Sequence, residues 1–341
     1  MKPKLLIVEL WGLGDLAIAT PFLRKACERF EVTLLAKPFA HDLQSRFWPQ
    51  VKVIPFNAPW TAFAFGRKYQ LFSWPWRTIF SVWKKLFDEH FDVALSARWD
   101  PRDHFLLNVS RAKTRLGFPR VGSQIFLTNP LAAPDHAAHR YESWLTLARA
   151  LNLNLETRNK LSFPEPRGKK LILVHTGAAQ PVRVWPLDQY CQLVKRLRKK
   201  GHAVKVICNP EQQGWWKRAG ETEAIAPQTV SELLHCLDEA CAFIGNDSGP
   251  GHLAAVCGIP TFTFFGPQIV EWFVPLHPAA EFAEGKACPY KPCSDYCRFP
   301  VPHCLWNITE EEIWPKVEKF VERHLAQDSQ KSDRFTREPV T

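Results

Sequence analysis

The sequence predicts an α/β protein of two doubly wound parallel-sheet domains facing each other across a cleft. Three observations lead there. Strand–helix alternation starts twice, near Lys4 and again near Lys170. A chain of 341 residues is long for one ordinary domain and suits two of roughly 150. An apolar content of 46% can fill two cores, yet no run approaches the ~18 apolar residues of a membrane-spanning helix.

The elements follow in order. Lys4–Leu10 is a continuous apolar strand, followed by Trp11-Gly12-Leu13-Gly14-Asp15 and a helix from about Leu16 to Arg29. Val32–Ala36 completes a βαβ unit, and Val51–Pro55 and Asp92–Ser96 are further strands. A Trp-, Phe- and Arg-rich helical stretch lies between those two, and Tyr141–Leu151 is a helix. Pro164, Pro166 and Gly168 mark residues 158–169 as a linker. The first domain is therefore 1–157 and the second 170–326.

In the second half the strands are Lys170–His175, Ala203–Cys208, Ala242–Gly245 and Thr261–Phe265. The helices are Leu187–Lys200, Val230–Leu237 and Gly249–Cys257. Thr309 and Glu312 form a capping box for a terminal helix reaching Leu325. Residues 327–341 are polar and read as a disordered tail. The first apolar stretch holds Glu9 and lacks a cleavage pattern, so it reads as a strand rather than a signal peptide. A cytoplasmic protein with reduced thiols is the expectation.

Charge is uneven. Residues 1–167 hold 24 Lys/Arg and 14 Asp/Glu, whereas residues 168–341 hold 20 of each, so the whole formal +10 belongs to the first half. Between Trp60 and Phe91 the basic residues alternate with eleven aromatics. Such a surface suits an acidic partner: a phosphorylated glycolipid, a phospholipid leaflet or nucleic acid. A nucleic-acid-binding protein finds no zinc-finger, helix-turn-helix or RNA-binding signature to support it.

The most informative segment is Ile244-Gly-Asn-Asp247-Ser248-Gly249-Pro-Gly-His252-Leu-Ala-Ala-Val256. A strand passes through small residues into a helix. Ser248 and Gly249 therefore let a phosphate approach backbone N–H groups at a positive helix end. Asp247 falls at the carboxyl end of the strand, where open α/β sheets bind ligands, and His252 lies in the first helical turn. The alternative is an ordinary turn capped by Asp247 or Ser248. Asp15 sits at the equivalent strand end of the first half; its plain reading is a helix cap. In His175-Thr176-Gly177-Ala-Ala-Gln-Pro-Val-Arg183-Val-Trp185-Pro186, a strand ends in small residues and presents a cation suited to paired phosphate oxygens.

Together, Gly14-Asp15, Arg183 two before Trp185-Pro186, and Gly245-Asn-Asp-Ser-Gly-Pro-Gly-His-Leu-Ala-Ala255 resemble glycosyltransferase family 9, the lipopolysaccharide heptosyltransferases of GT-B fold. The resemblance runs over roughly residues 4–325 with the motifs in order. It implies inverting transfer of a heptose from a nucleotide diphosphate sugar, typically ADP-heptose, to an acceptor sugar of the lipopolysaccharide core. It implies Asp15 as the general base. Ser248, Gly249 and His252 would hold the diphosphate and Asp247 the donor sugar, with Thr176 and Gly177 on the donor wall and Glu211 at the ribose. Arg183 stands where the family commonly has lysine. The acceptor is acidic and membrane-borne, so Arg67, Lys68, Arg77, Lys84 and Lys85 are expected to meet it or the inner leaflet. No cofactor and no nucleic acid enter this reaction. The competing readings are a GT-B transferase or epimerase using another nucleotide sugar, and a binding protein without turnover.

Cys288, Cys293, Cys297 and Cys304 crowd into 17 residues (288–304) with four prolines. Four thiolates match the count for a structural zinc or iron site. The spacing lacks paired Cys-x2-Cys knuckles, which leaves reduced thiols as the alternative. The remaining cysteines, 27, 191, 208, 236, 241 and 257, fall on apolar faces and read as core.

Overall fold

A computed structural model describes residues 1–61, 74–168, 170–293 and 296–325. Arg67, Lys68 and the polar tail from 327 onward lie outside the described residues. The chain divides into two compact units, Met1–Lys160 and Leu161–Thr341.

The first unit runs β1 (Lys4–Glu9), α1 (Leu13–Arg29), β2 (Glu31–Ala36), α2 (Ala40–Phe47), β3 (Lys52–Pro55), α3 (Trp76–Asp88), β4 (Val93–Leu95), α4 (Pro101–Val109), β5 (Thr114–Gly117), β6 (Asn129–Pro130) and α5 (Tyr141–Ala150). Its sheet has the order β3-β2-β1-β4-β5-β6 with every pairing parallel. Leu5 to Val8 are fully buried, as expected of a central parallel strand covered on both faces. The order reverses between β1 and β4: the chain winds outward through β2 and β3, then returns to the other side of β1. Such a reversal opens a crevice at the carboxyl ends of the two central strands.

The second unit runs β7 (Leu171–His175), α6 (Leu187–Lys199), β8 (Ala203–Ile207), α7 (Pro210–Arg218), α8 (Val230–Asp238), β9 (Ala240–Asn246), α9 (Gly249–Val256), β10 (Thr261–Phe265), α10 (Val270–Phe273), β11 (Ala280–Glu284), α11 (His303–Trp306) and α12 (Glu310–Leu325). Its sheet, β11-β10-β9-β7-β8, is again parallel throughout and reverses between β7 and β9. Trp185 is wholly buried against Phe264, with centroids 4.5 Å apart, and closes the core above the sheet. The predicted capping box on α12 is formed: Glu312 N–H donates to Thr309 Oγ1 at 3.2 Å, and Thr309 N–H donates to Glu312 Oε2 at 3.1 Å.

Two units, each an all-parallel sheet with helical crossovers, are the fold class the alternation predicts. The boundaries agree to within about two residues for most of the expected elements. One exception matters for the site. α1 begins at Leu13 rather than Leu16, because Asp15 itself closes the first turn: its Oδ2 accepts the Gly12 N–H at 3.0 Å.

Candidate active site

Each unit brings polar side chains to the strand ends where its sheet order reverses. In the first unit β1 delivers Glu9, Trp11 and Asp15, and β4 delivers Arg98. Gly12 permits this turn: a Cβ there would lie 3.3 Å from Asp15 Oδ2, tighter than almost all real contacts. The carboxylate is held from two sides, by Gly12 N–H and by Arg98, whose Nη1 donates to Oδ1 at 2.8 Å. The Arg98 guanidinium also lies 4.5 Å from the Trp11 ring centroid, in cation–π geometry.

The surroundings of Asp15 are strongly ionic. Burial works against the Arg98 charge, and the carboxylates of Asp15, Glu9, Asp103 and Asp100 more than offset it. Burial lowers the Lys37 ammonium, with Asp15 and Glu9 opposing. Arg140 is lowered by burial and by Arg98, again with Asp15 opposing. Burial pushes Glu9 up to about 8, with Asp15 and Asp103 adding and Arg98 opposing. Burial likewise raises Asp103 to about 7. Exposure separates the acids: Glu9 is 2% exposed, whereas the Asp15 side chain keeps 23%. A carboxylate that must take a proton from a bound molecule needs that access. Asp15 has it and Glu9 does not.

In the second unit β9 ends at Asn246-Asp247-Ser248 and leads into α9. Asn246 is fully buried and clasps two elements together. Its Oδ1 accepts from Trp185 N–H and from the Tyr190 hydroxyl, both at 2.9 Å. Its Nδ2 donates to the carbonyls of Thr176 at 3.0 Å and Gly177 at 3.2 Å. This clasp fixes the loop carrying Arg183 relative to the turn carrying Asp247 and Ser248. Arg183 Nη1 reaches Asp247 Oδ2 at 3.5 Å, a long contact for an ion pair.

Ser248 occupies the N-cap position of α9 but makes no side-chain cap bond. Its Oγ and the Nε of Arg183 are both buried and find no hydrogen-bond partner among the described residues. Ser248 is therefore not the side-chain cap of this helix. Buried donors left unpaired cost about 1–3 kcal/mol each, and both belong to the same turn-and-loop assembly at the positive end of a helix. Unpaired donors at a positive helix end can receive an anion. His252 is buried in the first turn of the same helix.

One expectation needs correction. Thr176 is fully buried, donating to Gln212 Oε1 at 3.0 Å and accepting from Trp216 Nε1 at 3.1 Å. Its hydroxyl holds α7 to β7 and is not available to a donor. Gly177 is needed for packing: a Cβ there would lie 2.0 Å from Asn209 Oδ1. Glu211 stands exposed in the first turn of α7, accepting from Asn209 Nδ2 at 2.9 Å.

The basic residues expected at the acceptor are not the ones around Asp15. Arg77, Lys84 and Lys85 stand exposed on α3. Lys37, Arg98 and Arg140 surround Asp15 instead, from β2, β4 and the loop before α5. Sequence reasoning missed all three, because only the sheet order brings them together.

The four-cysteine loop is compact. Cys288 and Cys297 bear electrostatically on Cys293 and Cys304. Yet the thiols turn elsewhere: Cys293 Sγ donates to Tyr290 O at 3.4 Å and Cys297 Sγ to Val301 O at 3.7 Å. Among the described residues no group of three or more His, Cys, Asp or Glu side chains is arranged to hold a metal. Of the other six cysteines, five are buried and Cys191 is half-buried.

The family model of glycosyltransferase family 9 (heptosyltransferase) matches residues 79–299, well over half of the chain. The chain belongs to glycosyltransferase family 9. Among family 9 relatives, lipopolysaccharide heptosyltransferase 3 of Escherichia coli K12 is 28% identical over 157 residues, covering 39% of this chain and 46% of the relative. The match thus spans about half the length of this curated relative. Two solved structures share the fold across nearly the whole chain. E. coli ADP-heptose lps heptosyltransferase II has a TM-score of 0.70 at 18% identity, covering 96% of this chain and 99% of the other. E. coli heptosyltransferase WaaC with ADP has a TM-score of 0.71 at 16% identity, covering 93% and 99%. The two parallel-sheet units are those of the GT-B fold.

Proposed function

We propose that this family 9 chain transfers a heptose from a nucleotide diphosphate sugar, most simply ADP-heptose, to an acceptor sugar of the lipopolysaccharide core, with inversion. The observation that carries the reading is the pair of unpartnered buried donors, Ser248 Oγ and Arg183 Nε. A diphosphate supplies the acceptors that both lack, and the α9 N-terminus adds a favourable field. The solved relatives named above include one described with ADP, which favours an adenosine nucleotide here. Asp247 and His252 contact the donor sugar and phosphates, Gly249 lets the phosphates approach the backbone, and Glu211 meets the ribose.

Asp15 is the general base. An acceptor hydroxyl is a weak nucleophile, so a carboxylate takes its proton as the new glycosidic bond forms and the anomeric carbon–phosphate oxygen bond breaks. The nucleoside diphosphate leaves with the bonding pair. Arg183 and the α9 amides stabilise the charge it gains. Lys37, Arg98 and Arg140 hold acidic groups of the acceptor near Asp15. The four-cysteine loop has no step in this transfer. An ADP-sugar donor places the reaction in the cytoplasm, with the acceptor presented at the inner leaflet. In this reading the contact with that leaflet is peripheral; among the described residues no helix is long and apolar enough to cross a bilayer.

Asp15→Asn tests the reading. ADP-heptose should bind the variant within about twofold of the parent by calorimetry, while transfer falls by about 10²- to 10⁴-fold. Undiminished transfer removes Asp15 as the base.

A further inference from the structure

α3 carries two apolar stripes, where a helix packed on one side needs one. At about 100° per residue, Ile79, Val82 and Leu86 form the buried stripe. Trp76, Phe80, Trp83 and Phe87, spaced four, three and four apart, form a second stripe within an arc of about 60°. Trp76 and Phe80 centroids lie 5.9 Å apart, and Phe80 meets Trp83 edge-on at 5.4 Å. Trp83 in turn rests on Phe105 of α4 at 5.3 Å, which seats the row on the fold. The outer rings nevertheless face solvent: Trp76 is 38% exposed, Phe80 56% and Phe87 45%.

Cations border this row. Arg77 and Lys84 lie along its outer edge, at about 70–90° from its axis. Arg111 places its guanidinium 4.8 Å from the Phe87 centroid. One acid, Asp88, lies on that edge and pairs with Lys84 at 2.5 Å, so part of the local charge is neutralised. Single exposed aromatics are ordinary on a protein surface; a contiguous row flanked by cations is not.

We propose that the Trp76–Phe80–Trp83–Phe87 face of α3 rests in the interfacial layer of an anionic phospholipid bilayer. The rings then occupy the boundary between acyl chains and headgroups, and Arg77, Lys84 and Arg111 lie among the phosphates. Charge decides between occupants. A second copy of the chain would set one strongly basic half against another, whereas an anionic leaflet complements it. The bilayer as partner rests on the glycolipid-acceptor reading, but the measurement does not.

Flotation of the full chain with phosphatidylglycerol–phosphatidylethanolamine vesicles, and with phosphatidylcholine vesicles, tests the proposal. The parent protein should bind the anionic vesicles, bind phosphatidylcholine poorly, and lose binding in high salt. Phe80→Ser/Phe87→Ser should weaken binding at least about tenfold, and Phe80→Trp, which keeps an interfacial ring, should retain it. Turnover on a lipid-free soluble acceptor should be equal in parent and variants. If both lack that turnover, the transferase reading fails while the flotation result still stands. No vesicle binding by the parent, or equal binding by the double variant, overturns the proposal. So does a dimer in sedimentation that the double variant dissolves.

Discussion

Arg98 holds Asp15 from the neighbouring strand: Nη1 donates to Oδ1 at 2.8 Å while the same guanidinium lies 4.5 Å from the Trp11 ring. The carboxylate therefore has one geometry, set by β1 through Gly12 and by β4 through Arg98. Arg98→Ala should lower kcat by about 10²-fold and leave the donor KM nearly unchanged. Arg98→Lys should recover part of the loss, since charge returns without the planar contact to Trp11. Steady-state kinetics with the donor varied read both. A rise in donor KM at constant kcat would assign Arg98 to the donor instead.

Arg183 presents a buried, unpaired Nε beside Asp247. Removing a charged hydrogen-bond donor to a phosphate costs about 1.5–3 kcal/mol. Arg183→Ala should therefore raise the ADP Kd by roughly 10- to 150-fold in calorimetry. Arg183→Lys should fall between, because a point charge replaces a planar fork. An unchanged Kd for Arg183→Ala would separate this loop from the diphosphate.

The buried acid Glu9 predicts an unusual pH dependence. Its folded value, about 8, lies above its ordinary 4.5. The unfolded chain therefore releases this proton first, and stability falls as pH rises from about 4.5 through 8. Glu9→Gln removes that loss. Urea unfolding should find the variant close to the parent at pH 5 and clearly more stable than the parent at pH 9. A variant less stable than the parent at pH 9 would mean that the ionised Glu9 is needed to balance Arg98.

Asn246 makes four hydrogen bonds from a fully buried position. Asn246→Ala leaves the Trp185 N–H and the Tyr190 hydroxyl without this partner, at about 1–3 kcal/mol each. Calorimetry should show the melting temperature falling by roughly 10 °C. ADP affinity should fall as well, because Arg183 and Ser248 lose their common anchor. A shift under about 2 °C would show that the loop is held by Trp185 packing alone.

Much of this was legible in the chain. β1, β7, β9 and β10 are apolar runs long enough to read directly, and the Asp247–His252 turn declares itself by its small residues. What escaped is instructive. β6 has only two residues, too short for any periodic signal. α4 buries only a short apolar patch around Leu106 and Leu107. Arg98 follows β4 with nothing local to distinguish it from another loop arginine; it meets Asp15 because Leu5 pairs with Val93 in the sheet. Thr176 failed in the opposite sense. Its position at a strand end suggested a ligand, but Gln212 and Trp216, 36 and 40 residues away, already engage its hydroxyl.

The clustering of supporters around each strand end also has a consequence for how such proteins diversify. Among the described residues, the groups bonded to Asp15 (Gly12 and Arg98) are encoded before residue 161, and the Asn246 clasp behind Arg183 and Ser248 is encoded after it. On the proposed function, a recombination near Lys160 would therefore exchange one recognition problem while inheriting the other, and a lineage could change the molecule it modifies without relearning which nucleotide to hold.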